Sequence, residues 1–174
     1  MGLEEHRARA RDSVAVYVIT CSDTRASGDD ASGALIRDAL QEAGHRVVGW
    51  CLLREEEQTL RDGIRDVLQR VDFDAVIING GTGIAPRDRT FDILAEMYER
   101  TIQGFGELFR SLSYAEIGSA AMLSRASAGV ACNKIVFSIP GSRAAVRLAL
   151  DQLILPELGH LVAEMRRART ERAP

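Results

Sequence analysis

The residues best suited to chemistry lie in one glycine-rich segment. Gly80-Gly81-Thr82-Gly83 follows an apolar run and precedes Pro86-Arg87-Asp88. Glycines let the backbone turn sharply and approach a phosphate closely, and consecutive N–H groups can form an anion-binding nest. The segment lacks both the Gly-Lys-Ser/Thr ending of a Walker A loop and the spacing of a dinucleotide-binding loop. A tight turn from a strand into a helix explains the same four residues equally well.

Two charged side chains in this segment extend the phosphate hypothesis. Arg87 can pair with a phosphate group, and Asp88 can hold a magnesium ion or position a reacting group. The alternatives are a surface ion pair for Arg87 and a helix-start aspartate for Asp88. The position of Asp88 beside a glycine nest favours the functional interpretation for that residue.

Polar residues in three other segments are also candidates for ligand contact. They can hydrogen-bond a heterocycle or a phosphate, and they are Ser22, Asp30, Ser32, Ser124, Arg125, Gly141 and Ser142. Ordinary helix capping is the alternative for Asp30 and Ser32. Pro140-Gly141-Ser142 predicts either a helix N-terminus that can attract an anion or a turn with a serine cap.

Alternating strand and helix patterns must position these segments. Apolar, β-branched runs predict strands at 14–20, 46–53, 74–79 and 134–139. Helical periodicity between the strands predicts helices. One helix should end at Gly44, and another should begin near Thr90, whose hydroxyl would cap it. Pro156 should kink a third helix. For 101–133 we expect two short helices. The order predicts a single-domain three-layer α/β/α sandwich with a mostly parallel sheet, whose ligand lies beyond the carboxyl ends of the strands.

Composition and charge argue against several classes of protein. The 174 residues are 46% hydrophobic, with a net charge of −3 and a pI near 5.7, which gives no basic footprint for nucleic acid. Three scattered cysteines favour buried or half-buried thiols over disulfides or zinc. We see no signal peptide and no stretch of transmembrane length, and expect a cytoplasmic protein. We divide it into an extension at 1–13, a domain at 14–165 and a polar tail at 166–174.

Taken together, the motifs resemble the MoaB/Mog family of molybdopterin-handling proteins from about residue 14 to residue 160. The matching segments are Thr20-Cys21-Ser22-Asp23-Thr24, Asp30-Ala31-Ser32-Gly33, Glu42-Ala43-Gly44-His45, Gly80-Gly81-Thr82-Gly83 with Pro86-Arg87-Asp88, Met122-Leu123-Ser124-Arg125-Ala126, and Ile139-Pro140-Gly141-Ser142. Segments 104–110 and 112–118 are similar to the MoaB branch in particular.

The resemblance implies a molybdopterin-binding fold and a nucleotidyltransferase reaction. Active members of the family transfer AMP from ATP to the terminal phosphate of molybdopterin with magnesium, releasing pyrophosphate. By resemblance, Gly80, Gly81, Thr82, Gly83 and Arg87 bind the phosphates, and Asp88 is the catalytic, magnesium-binding acid. The residues listed above as polar candidates fall on pterin-binding positions. The resemblance also implies a homotrimer or a homohexamer, with no nucleic-acid or membrane partner.

One departure affects the predicted activity. Where the family usually has a Pro-Asp pair after the second strand, this chain has Arg54-Glu55. Glu55 keeps the charge needed for catalysis and for magnesium, but its extra methylene can displace a cation by about an ångström, and misplacement on that scale can cost on the order of 10²-fold in rate. Two functions therefore stand: a molybdopterin adenylyltransferase, and a pterin-binding carrier or assembly protein without turnover.

Overall fold

One mixed sheet organises the part of the chain that the computed structural model describes, residues 13–23 and 29–170. Its strand order is β2-β1-β3-β6-β5-β4. The strands are β1 (Ala15–Cys21), β2 (Arg46–Leu53), β3 (Ala75–Asn79), β4 (Arg100–Thr101), β5 (Ser127–Ala131) and β6 (Lys134–Ile139). β2, β1, β3 and β6 are parallel, whereas β5 is antiparallel to both of its neighbours. The four predicted strands and the mostly parallel sheet are confirmed.

Helices cover both faces of this sheet. They are α1 (Ala31–Glu42), α2 (Glu57–Gln69), α3 (Thr90–Met97), α4 (Gln103–Ile117), α5 (Arg143–Ala149) and α6 (Leu155–Thr170). A 3₁₀ segment, Gly118–Leu123, follows α4, and a π-helical segment, Leu150–Ile154, joins α5 to α6. The predicted break near Pro156 therefore takes the form of a π-helical turn just before the proline.

Two hydrophobic layers hold the helices to the sheet. Val16 and Val18 of β1 pack with buried residues of α1, α4, α5 and α6, whereas Tyr17 and Ile19 pack with α2 and α3. Successive side chains of a strand point to opposite faces, so both sets must be apolar when both faces are covered. The three-layer α/β/α sandwich predicted from the sequence is confirmed.

The helix ends follow local chemistry with one exception. Gly44 has φ +82° just beyond α1, as expected for a residue that ends a helix. The predicted Thr90 cap is wrong, because Thr90 is the first residue inside α3 and Arg89 occupies the capping position without a side-chain bond. Thr90 is instead buried, and its backbone N–H donates to the Gly81 carbonyl at 3.2 Å.

The segment 101–133 differs from the two short helices expected. It forms the long helix α4, the 3₁₀ segment and then β5, whose sequence Ser-Ala-Gly-Val-Ala has little strand propensity. β5 pairs with β6 through a turn in which Cys132 and Asn133 have φ of 49° and 58°. Positive φ at both central positions matches the twist of a tight hairpin. Pairing with β6 therefore decides the conformation of β5.

The predicted N-terminal extension and the predicted polar tail lie partly outside the described residues. Residues 1–12 lie outside the described residues, as do 171–174. The predicted boundary at 165 falls inside α6, which continues to Thr170, and the Arg166 guanidinium pairs with the Asp74 carboxylate. Within residues 13–23 and 29–170, no helix is both long enough and apolar enough to span a bilayer.

An apolar face is exposed along α4 and the 3₁₀ segment. Phe105 and Phe109 of α4 point into the core. Residues on the outer side have large exposed fractions: Leu108 56%, Tyr114 63%, Ile117 57%, Met122 76% and Leu123 50%. Contiguous exposed apolar side chains commonly mark protein–protein contacts.

We therefore expect this face to form the contact in a homo-oligomer, a trimer or larger. Tyr114→Glu, which places a charge on the face, should lower the mass measured by light scattering toward that of a monomer. Val71→Glu is the control, since Val71 is 96% exposed and lies off α4. A wild-type protein that is monomeric at micromolar concentration would contradict the prediction.

Candidate functional site

Three loops converge at the carboxyl edge of the sheet, where β1, β3 and β6 end. Gly80 has φ +104°, and a methyl group on it would lie 2.2 Å from the Cys21 carbonyl oxygen. On the other side, a methyl group on Gly141 would lie 3.3 Å from the Cα of Gly80. The Gly80 N–H also donates to the Ile139 carbonyl at 3.0 Å. The loops after β1, β3 and β6 therefore meet at Gly80, as predicted, although residues 24–28 of the first loop lie outside the described residues.

The strand order explains why the cleft forms there. The chain leaves β1 for the neighbouring β2 and then crosses back to place β3 on the other side of β1. In open parallel sheets, ligands bind where the connections diverge in this way. The glycine segment after β3 and the polar loop after β1 flank this point.

A buried hydrogen-bond network supports the floor of the cleft. The Thr20 hydroxyl donates to Asp30 Oδ2 at 2.7 Å and accepts from Asn79 Nδ2 at 2.9 Å. Asp30 also accepts from the Gly33 N–H at 2.9 Å, which caps α1. All three side chains are at most 4% exposed. Asp30, predicted as a pterin contact, is thus placed beneath the cleft as a cap and a network member.

Thr20 and Asn79 are site residues that the sequence interpretation missed. Asn79 is the last residue of β3 and stands directly before Gly80. An asparagine at the end of an otherwise apolar strand is expected to be buried, and a buried amide needs a hydrogen-bond partner. The asparagine at this position was therefore a signal that the sequence offered. The network fixes β1 and β3 relative to each other where their loops begin.

Ser22, Ser32 and the residues around Gly141 join the loops to one another. The Ser32 hydroxyl donates to the Gly141 carbonyl at 2.7 Å. The Ser22 N–H donates to the Leu53 carbonyl at 3.0 Å, which links the ends of β1 and β2. Ser142 caps α5 by accepting from the Ala145 N–H at 3.2 Å. The capping interpretation of the Pro140-Gly141-Ser142 turn is confirmed.

The Arg54-Glu55 pair lies across the cleft from the glycine segment. The Glu55 N–H donates to Asp23 Oδ1 at 2.9 Å, and the Arg54 guanidinium donates to the Asp23 carbonyl. Glu55 Oε1 is 3.7 Å from where a methyl group on Gly81 would lie. The Glu55 carboxylate therefore faces the glycine segment. The family's Pro-Asp pattern predicts an acidic side chain at this position.

The glycine segment, the candidate nest, turns sharply at its first two residues. Gly80 and Gly81 both have positive φ, 104° and 64°. A methyl group on Gly81 would lie 2.3 Å from Thr90 Oγ1, so only glycine fits against the first turn of α3. Thr82 is buried, and its carbonyl accepts from the Arg125 N–H at 3.0 Å.

Asp88 folds back over this segment. Its Oδ2 accepts from the Ala85 N–H at 2.8 Å, and a methyl group on Gly83 would lie 2.6 Å from the same oxygen. No hydrogen bond is seen for Oδ1 within the described part of the chain. Asp88 is half-buried, and it presents a carboxylate oxygen beside the nest.

The two arginines predicted to meet phosphate differ in their surroundings. Arg87 is exposed, and the described residues give its guanidinium neither an ion pair nor a hydrogen bond. Arg125 donates from Nε to the Gly83 carbonyl at 2.8 Å and from Nη1 to Asp92 Oδ1 at 2.9 Å. Ser124, beside it, accepts from the Ala126 N–H at 3.3 Å. Arg87 is free to pair with an anion, whereas Arg125 is already engaged.

Ser124 and Arg125 also line a neighbouring cavity of about 550 Å³. Phe91, Gly106 and Arg110 line it from α3 and α4. Its volume is in the range of small-molecule sites.

The cysteine at the cleft is not a nucleophile. Burial raises the pKa of the Cys21 thiol to about 12, so it stays protonated at neutral pH. The expectation of buried or half-buried thiols holds for Cys21 and Cys51, but Cys132 is exposed in the β5–β6 turn. A positive-φ hairpin turn projects beyond the sheet and explains its exposure.

The carboxylates suit a magnesium ion that binds together with its substrate. Across the described ranges, 13–23 and 29–170, no three acidic, cysteine or histidine residues cluster as metal ligands. The Glu55 carboxylate lies near Gly81, and the Asp88 carboxylate lies near Gly83. Magnesium is commonly held by one or two carboxylates plus phosphate oxygens, so this donor set fits it.

The sequence profile of a family described as "Probable molybdopterin binding domain" matches residues 17–160. Molybdenum cofactor biosynthesis protein B of Bacillus subtilis is 46% identical over 168 residues, covering 96% of this chain and 99% of that protein. The chain belongs to the molybdenum cofactor biosynthesis protein B family. Members of this family are also its structural neighbours.

A crystal structure of a molybdenum cofactor biosynthesis protein B superposes with a TM-score of 0.86 at 46% identity, covering 89% of this chain and 97% of that one. The tungsten cofactor synthesizing protein MoaB from Pyrococcus furiosus gives a TM-score of 0.78 at 33% identity, covering 90% and 99%. The fold expected from the resemblance is thereby confirmed.

The buried network yields a testable prediction about the site's scaffold. Thr20→Val keeps the side-chain shape but leaves the Asp30 carboxylate and the Asn79 amide without their shared partner. We expect a loss of roughly 1–3 kcal/mol in the free energy of unfolding, the usual cost of a buried unpaired group. Urea unfolding measures it. Thr20→Ser, which retains the hydroxyl, is the control; equal midpoints for the two variants would disprove the network's role.

Proposed function

We propose that the chain acts in molybdenum cofactor biosynthesis by adenylylating molybdopterin. Its relatives' names support a role in that pathway, and the family description supports molybdopterin binding. The observation that carries the finer proposal is the Asp88 carboxylate beside the Gly80–Gly83 nest, with Glu55 facing Gly81 across the cleft.

The proposed reaction transfers one adenylyl group. An oxygen of the terminal molybdopterin phosphate attacks the α-phosphorus of ATP and forms a new P–O–P bond. The bond from the α-phosphorus to the bridging oxygen breaks, and pyrophosphate leaves with that electron pair. The products are adenylylated molybdopterin and pyrophosphate, and no side-chain nucleophile is required.

The chain's own residues supply positioning and charge. Because the Gly80 N–H is donated to Ile139, the glycine segment would offer the N–H groups of Gly81, Thr82 and Gly83 to phosphate oxygens, and the exposed Arg87 guanidinium offers a cation. Asp88 and Glu55 would hold magnesium, which when bound neutralises charge on the phosphates. Phosphoryl-type transfer depends mainly on such positioning and charge neutralisation. Ser22, Ser32 and the α5 N-terminus flank the space left for the pterin.

A second function is favoured by one observation. Arg54 and Glu55 replace the Pro-Asp pattern, and both bond to Asp23, Arg54 through its guanidinium and Glu55 through its backbone N–H. A carboxylate one methylene longer than the family's aspartate suits a protein that binds the pterin and passes it on without turnover. Incubation with molybdopterin, ATP and magnesium, with pyrophosphate as the readout, separates the two functions.

Asp88→Asn should test the catalytic assignment. Asparagine can still accept the Ala85 hydrogen bond through its amide oxygen, so fold and pterin affinity should be nearly unchanged. Adenylyl transfer should fall by roughly 10²–10³, the scale for one preorganised charged group. Asp66→Asn, on the exposed side of α2, is the matched control. A wild type without turnover, with Asp88→Asn altering only pterin affinity, would support the carrier function.

Glu55→Asp should test the departure from the family pattern. The backbone N–H that binds Asp23 is retained, while the carboxylate moves back by one methylene. We expect the transfer rate to be kept or raised, because aspartate restores the family's side-chain length. Steady-state pyrophosphate release measures the rate. A tenfold fall would mean that Glu55 has a role specific to its own length.

A further inference from the structure

Arg125 is bonded to both ends of the segment that carries the catalytic candidate. Its Nε donates to the Gly83 carbonyl at 2.8 Å, and its Nη2 donates to the Asp88 carbonyl. Its Nη1 pairs with Asp92 in the first turn of α3 at 2.9 Å. The guanidinium also lies over the Phe91 ring, 5.1 Å from the centroid. One side chain thus joins the start of the loop, its end and the following helix.

The loop has few other constraints. Within 83–88, the Asp88 N–H donates to the Ala85 carbonyl at 2.9 Å and the Asp88 side chain accepts from the Ala85 N–H. Both of these bonds are local, and Ile84 is 70% exposed. A short loop held by local bonds alone samples other conformations readily. The bonds from Arg125, which arrives from a distant part of the sequence, are those that fix the loop to the body of the protein.

These hydrogen bonds occupy most of the N–H donors of the Arg125 guanidinium. Three of the five N–H groups of Arg125 are donated within the protein, two of them to backbone carbonyls. Its side chain is 27% exposed, and Asp92 neutralises its charge. An arginine with these partners is poorly placed to receive a phosphate, in contrast to Arg87.

We propose that Arg125 is a positioning residue, which holds Gly83 and Asp88 at the separation that places the Asp88 carboxylate beside the nest. This replaces the direct pterin contact predicted for Arg125, and it rests on the proposed function. Lysine at this position keeps the charge but cannot donate to three groups in a fixed plane.

Amide hydrogen exchange tests the structural part of the proposal. In Arg125→Lys, amides of 83–92 should exchange about tenfold faster, while those of β1 and β3 stay unchanged. Asp92→Asn removes the ion pair but keeps both carbonyl bonds, so its increase should be smaller. Arg110→Lys is the matched control, because Arg110 lines the same cavity and is also half-buried, without a hydrogen bond or ion pair seen among the described residues. Unchanged exchange in Arg125→Lys would overturn the proposal.

A double-variant comparison tests the functional part. Arg125→Lys should lower kcat for pyrophosphate release by roughly 10²-fold with little change in KM, the scale for misplacing a reacting group. If Arg125 acts through Asp88, then Arg125→Lys in the Asp88→Asn background should slow the reaction no further. Independent, multiplying losses with a raised KM for molybdopterin would show direct substrate contact and overturn the proposal.

Failure of the proposed function and failure of the positioning role of Arg125 give different experimental results. A wild type that releases no pyrophosphate removes the proposed function, and the exchange experiment alone then decides whether Arg125 fixes the loop. Faster exchange in the lysine variant would support the positioning role in a carrier protein, whereas unchanged exchange would refute it in either case.

Discussion

The close approach of three strand-ending loops at Gly80 is the constraint on which the site depends. A side chain there would collide with the Cys21 carbonyl, so the loops after β1 and β3 can meet only at a glycine. Gly141 approaches from the other side under a weaker restriction, since a methyl group on it would lie 3.3 Å from the Gly80 Cα. Since the three loops share this contact, the position of any one of them is set by the other two. The cleft is therefore a property of the sheet rather than of separate flexible loops.

The elements that the sequence predicted well are those with a strong local signal. The apolar runs at 14–20, 46–53, 74–79 and 134–139 have little polar alternation. Both faces of β1, β3 and β6 are covered, whereas the edge strand β2 is only half-buried. β5 was missed since its small residues favour no conformation by themselves, and only pairing with β6 makes them a strand. His45, which follows Gly44, is half-buried, and its Nδ1 accepts from the Val14 N–H at 3.3 Å, a tertiary contact that the local sequence does not indicate.

In the candidate site, too, contacts between residues close in sequence could be predicted, whereas contacts between distant residues could not. Asp88 and the glycine segment are close in sequence, so their proximity could be predicted from spacing. The partners of Arg125 are Gly83, Asp88 and Asp92, which lie far from it in the chain. Residue type alone suggested that this arginine meets a ligand, whereas tertiary contacts give it three partners in the protein. Thr20 and Asn79 were missed for the same reason, since their pairing exists only where β1 and β3 are neighbours.

The place of β6 in the sheet has a consequence for how the protein is made. β6 lies between β3 and β5, although α3, β4, α4 and β5 all precede it in the chain. During synthesis on a ribosome the amino-terminal half emerges first. β3 then has an open edge, and the Gly80 N–H lacks its Ile139 acceptor, until β6 emerges and inserts. Such long-range pairing closes late and slowly. The nascent chain consequently carries the complete glycine motif well before the three loops can meet around it, and the candidate site is complete only once the last central strand is added.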